Sequence, residues 1–224
     1  MTALTLAAGA GFAAVLLRAI GRPVPLWLLA LPLPLSAAVN LLVKRLIYVA
    51  LAGAAGMNVI GPTSPFWFLI AVLLLPPVTE EGIKLVTLFL PFVRRRIRDG
   101  ESAVLVGAAV GLGFGLGEAL YVGYAVGLRV ELASLPWYAF FPFLGERLAA
   151  IFIHGALTSI VAVGLHAAAN IGPILAQFGI IGGDIASLFL FPFVLLIAGI
   201  FERQRRAVRP AAGGRVDEIY VRRV

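Results

Sequence analysis

Apolar runs of about 20 residues recur along the whole of this chain of 224 residues. Each is long enough to cross the hydrocarbon core of a bilayer as a helix. A backbone in lipid has no water to bond to, so such runs satisfy their own N–H and C=O groups internally. The expected fold class is therefore all-α, a polytopic membrane helix bundle. Charged residues make up 13% of the chain, about half the fraction of a soluble domain. The mean hydropathy of +1.03 agrees with that reading.

Seven transmembrane helices are expected, over roughly 4–20, 25–52, 65–92, 102–128, 137–163, 165–181 and 184–201. The stretch 40–64 leaves room for six to eight. Asn40, Lys44 and Arg45 interrupt its apolar run, and Asn58, Gly61, Pro62 and Pro65 break it. It reads as one tilted helix with a re-entrant piece, or as two short spans. The run from Leu4 to Ile20 is followed by Arg22 and Pro23 with no small-residue cleavage site, so it is expected to be the first membrane helix. A single transmembrane domain, 1–201, then precedes a basic tail, 202–224.

The tail carries seven arginines against three acids, four of the net +7. Arg94, Arg95, Arg96 and Arg98 form a second cluster. Both follow the end of an apolar run, which marks cytoplasmic segments and needs no nucleic-acid partner. Anionic lipid headgroups are the partner such clusters suit. Seven spans with a cytoplasmic C-terminus place the N-terminus outside. The absence of cysteine excludes disulfides, thiolate catalysis and cysteine metal sites, and with two histidines a metal site would lean on carboxylates.

Against this background Glu80, Glu81, Glu118 and His154 stand inside membrane segments. An ionised group at the bilayer centre costs at least a few kcal/mol, so it persists where it faces partners, water or substrate. The Pro76-Pro77 pair, lacking both N–H donors, is expected to kink or restart its helix. Glu80 and Glu81 would then sit in a first turn, where the helix dipole favours carboxylates. Lys84 can pair with either one, but the two glutamates point about 100° apart, so a simple buried salt bridge accounts for only one of them.

Glu118 lies among Gly107, Gly111, Gly113, Gly115, Gly117, Gly123 and Gly127. Small residues spaced four apart bring membrane helices close, so the glycines are expected to admit a neighbouring backbone beside Glu118. Their spacing matches no phosphate-binding loop. Phe114 is one turn before Glu118, on the same face. His154 shares a face with Arg147 and Thr158. His166 and Asn170 also share a face. On one straight helix His154 and His166 would lie about 18 Å apart; a turn at Gly164 would bring His166 and Asn170 back toward the carboxylates. Depths counted from the cytoplasmic ends are roughly 16 Å for Glu81, 14 Å for His154 and 24 Å for Glu118, close enough to meet if the helices tilt.

Carboxylates clustered in a low-dielectric interior cannot all stay ionised. One of them can act as a general base toward water. A neighbouring histidine can orient the water, pass a proton or ligate a metal, and an Asn or Arg can stabilise an oxyanion. The set suits amide hydrolysis, and equally a proton or cation relay.

Glu80-Glu81-Gly-Ile-Lys84 resembles the EExxK motif of PrsW-type intramembrane proteases, and Phe114-Gly-Leu-Gly-Glu118 resembles their FxxxE motif. The stretch from Arg147 through His154 to Thr158 is similar to their histidine-bearing motif. GLGFGLGEAL and ERLAAIFIH are also similar to YhfC-type membrane proteases. His166-xxx-Asn170 looks like the HxxxN motif of the wider CAAX-protease and bacteriocin-processing (CPBP/Abi) superfamily. The resemblance spans about 78–170. It implies an intramembrane endopeptidase of a prokaryotic plasma membrane, acting on a membrane-embedded protein substrate. In it, Glu80 or Glu81 activates water, Glu118 and His154 complete the catalytic set, and His166 with Asn170 hold the oxyanion. A metal-assisted form would bind zinc through Glu81, Glu118 and His154; a glutamate-only form needs no cofactor. CAAX proteases usually carry a histidine where Glu118 stands. The rival readings are a proton- or cation-coupled transporter and a non-catalytic scaffold or immunity protein. The transporter reading calls for a second broken helix matching the one at Pro76-Pro77.

Overall fold

The computed structural model describes residues 2–20, 24–57, 61, 63–129, 135–160 and 170–208. Among them every regular element is helical: α1 (Thr2–Ile20), α2 (Trp27–Ala54), α3 (Phe66–Phe89), α4 (Gly100–Gly127), α5 (Phe141–Ile160), α6 (Ile171–Gln177) and α7 (Gly183–Val208). A single turn, Pro91–Arg94, follows α3.

Among the described residues six helices are long and apolar enough to cross a membrane, within the six to eight expected. Of the expected span 165–181, residues 165–169 lie outside the described residues, and the rest holds the seven-residue α6. Its end has a local cause. Gly179 takes φ 67°, and the bonds Ile180 N–H to Leu175 O and Gly179 N–H to Ala176 O close a Schellman turn. The interruption at Asn40, Lys44 and Arg45 breaks nothing: helix continues from Trp27 to Ala54, with one π turn at Val39–Val43. A second Schellman turn, at Gly56 (φ 65°), ends α2.

Of the kink or restart expected at Pro76-Pro77, the restart does not occur. The helix α3 runs through both prolines from Phe66 to Phe89. Each proline removes one backbone donor, and Thr79 Oγ1 adds a bond back to Leu75 O at 2.6 Å. Glu80 and Glu81 thus lie mid-helix, away from the first-turn dipole, and what stabilises them has to come from other side chains.

The centre of the bundle is α4, with 83% of its apolar window buried, against 12–33% for the other five. Asp99 and Ser102 start it with a reciprocal capping box. Its glycines serve two neighbours. A Cβ on Gly111 or Gly115 would overlap the His154 carbonyl or the Ile151 backbone of α5. One on Gly113 or Gly117 would overlap Leu29 or Leu33 of α2. The close approach expected beside Glu118 therefore occurs on both sides of α4. The main core joins Ala13 and Leu17 of α1, Leu28 of α2, Val106 to Ala119 of α4 and Ile151 of α5. The short α6 seats Ile174 and the adjoining Phe178 on Phe68 and Val72 of α3.

Candidate active site

Four helices deliver polar side chains to one interior point. The buried Glu80, Glu81 and Lys84 come from α3, Glu118 from α4, His154 and Arg147 from α5, and Lys44 from α2. In the middle of α3, Glu81 Oε1 accepts from Lys84 Nζ at 2.7 Å. The same ammonium donates to His154 Nδ1, also at 2.7 Å. A lysine ammonium offers donors only, so Nδ1 is the accepting nitrogen and the ring proton belongs on Nε2. From there it points at Glu118 Oε2, 2.5 Å away. Lys84 thereby fixes the tautomer of the histidine, and Glu118 accepts the hydrogen bond from its Nε2–H.

Phe114 supplies a wall for this arrangement. Lys84 Nζ lies 4.8 Å from its ring centroid, a cation–π distance. The His154 ring meets the Phe114 ring at 5.4 Å. The shared face expected for Phe114 and Glu118 thus places both of them on His154. Thr158, on the same side of α5, turns back to donate to the His154 carbonyl.

Glu80 approaches His154 from the other side, with Oε2 3.6 Å from Nε2. Its Oε1 is ion-paired with Lys44. Glu80, Glu118 and His154 together present three ligand atoms within 4.8 Å of one another. One imidazole nitrogen and two carboxylate oxygens form a donor set that zinc accepts, so these residues fit a metal once Nε2 gives up its proton. Of the expected metal set, Glu118 and His154 are here, with Glu80 beside them; Glu81 faces Lys84.

A cavity of about 430 Å³ opens onto the group, lined by Lys44, Glu80, Glu118, Arg147, His154 and Asn170 among others. Arg147 reaches Glu118 Oε1 at 3.7 Å, pairs with Glu146 and lies against the Phe143 ring. Asn170, the residue before α6, lines the cavity; His166 and Gly164 lie outside the described residues. The participant that sequence reasoning missed is Lys44, whose visible signal was Asn40-xxx-Lys44 at helical spacing inside an apolar run.

A buried acid–imidazole cluster inside a bundle of helices long and apolar enough to cross a membrane gives the class, an integral membrane protein. The profile of the PrsW family intramembrane metalloproteases matches residues 24–194. The chain belongs to that family and is a protease. No curated protein and no solved structure matches it.

Proposed function

We propose that this protease hydrolyses a peptide bond of a membrane-embedded protein at the Glu80–Glu118–His154 centre. The observation that carries the reading is the convergence of these three side chains, from three helices, on one polar cavity. A water molecule in that cavity gives its proton to Glu80 as its oxygen attacks the substrate carbonyl carbon. The proton then passes to the leaving amine as the C–N bond breaks. His154, held in its tautomer by Lys84, bonds Glu118 through Nε2, and turning that one N–H from Glu118 to the developing charge stabilises it. Arg147 and Asn170 offer further donors along the cavity wall.

Zinc held by Glu80, Glu118 and His154 would supply Lewis acidity and a more acidic water. Both arginine clusters mark the cytoplasmic side, in keeping with a prokaryotic plasma membrane. The transporter reading calls for a matched pair of broken helices, and α3 is continuous at Pro76-Pro77.

The test is cleavage of single-span membrane proteins co-reconstituted with the full chain in proteoliposomes. Glu80→Gln and His154→Ala are each expected to abolish cleavage while the protein stays folded and inserted. Wild-type turnover in either variant overturns the assignment of the centre.

A further inference from the structure

One charged side chain enters the centre from outside every motif. Lys44 belongs to α2, and its ammonium pairs with Glu80 Oε1 across 36 residues of sequence. The ammonium is itself fixed. Asn40 Oδ1 accepts from Lys44 Nζ at 2.7 Å, and Asn40 Nδ2 donates to the Ser36 carbonyl at 2.9 Å. Ser36, Asn40 and Lys44 are four residues apart and so form a ladder on one face of α2. Ser36 and Asn40 are both buried. The π turn Val39–Val43 spans this ladder immediately before Lys44, and π turns concentrate at functional sites.

Neutralising a buried carboxylate needs only a cation nearby. The ladder adds direction. With Lys44 anchored through Asn40, Glu80 is gripped by one oxygen, and its other oxygen stands 3.6 Å from His154 Nε2. We infer that Lys44 is a positioning residue: held by Asn40, it sets the Glu80 carboxylate so that Oε2 faces His154 and the cavity. This inference rests on reading Glu80, Glu118 and His154 as the catalytic centre.

The experiment measures kcat and KM of the full chain in proteoliposomes for Lys44→Met, Lys44→Arg, Asn40→Leu and Glu80→Gln, with the melting temperature of each. Lys44→Met is expected to lower kcat about 10–100-fold, the usual loss when the partner orienting an active group is removed. KM should stay nearly constant, since substrate binding is untouched. Lys44→Arg keeps charge and reach and should recover much of the rate. Asn40→Leu keeps the cation but frees it, so an intermediate loss of kcat is expected. A salt bridge that only stabilises the fold would lower the melting temperature of Lys44→Met and leave its kcat at the wild-type value; that result overturns the inference. If Lys44→Met does not fold, wild-type kcat in Asn40→Leu overturns it instead. Activity in Glu80→Gln would defeat the catalytic reading itself. An inactive Glu80→Gln beside a fully active Lys44→Met defeats only the role of Lys44.

Discussion

Lys84 Nζ and His154 Nδ1 stand 2.7 Å apart although 70 residues separate them in the chain. The lysine of the EExxK pattern thus serves the histidine as well as the adjacent glutamate. Lys84→Met should free the His154 tautomer and strand Glu81. Removing one partner of a buried pair costs about 3–5 kcal/mol, so thermal unfolding in detergent should shift strongly downward. Cleavage should fall with it, and a variant that melts as wild type would show that the pair contributes nothing to the fold.

The two adjacent glutamates should separate in their effects. Glu80 faces the cavity and His154, whereas Glu81 faces Lys84. Glu80→Gln should lose the general base, worth about 10²–10⁴ in rate. Glu81→Gln should retain measurable turnover with reduced stability. Equal kcat values for the two variants would contradict this division.

Metal analysis of purified protein gives an independent readout. If zinc is held at the centre, His154→Ala should reduce the bound metal together with activity. Binding in the wild type should weaken as pH is lowered, because protons compete for the ligand atoms. A metal content unaffected by His154→Ala would place any bound ion elsewhere.

The glycines of α4 predict a positional contrast. A Cβ on Gly115 would stand 2.8 Å from Ile151 Cα and 3.1 Å from His154 Cδ2. Gly115→Ala should therefore push α5 and the His154 ring, with a stability loss of about 1–3 kcal/mol. Gly11→Ala, where nothing lies within 4 Å, should be neutral or stabilising in a helix. Thermal melts and turnover of the two variants compare the sites directly.

Asn170→Ala tests the proposed role of the cavity wall. Loss of one oxyanion donor lowers kcat by about 10²–10³ with little change in KM. Unchanged turnover would remove Asn170 from the mechanism.

Much of this centre was legible before the fold was known. Glu80, Glu81, Glu118 and His154 announce themselves because an ionisable group in lipid needs a reason to be there. Lys44 did not, because a lone lysine near the middle of an ambiguous run looks the same as the end of a span. Only tertiary packing shows that its ammonium turns inward to Glu80. The Pro76-Pro77 pair misled for the opposite reason. Local rules treat two missing donors as a break, yet the protein surrounding α3 keeps the helix continuous and Thr79 back-bonds within it. Hydropathy likewise could not register the positive φ of Gly179 that stops α6.

The enclosed position of α4 bears on how the protein is made. Its apolar character suffices for the helix to enter the bilayer alone, but Gly111 and Gly115 meet their partners only when residues 151–158 follow. The carboxylates of α3 and α4 therefore reach the membrane well before the histidine that completes the centre. During translation the nascent chain already carries its acids without the histidine. On the proposed centre, the order of synthesis would itself delay activity until α5 closes against α4.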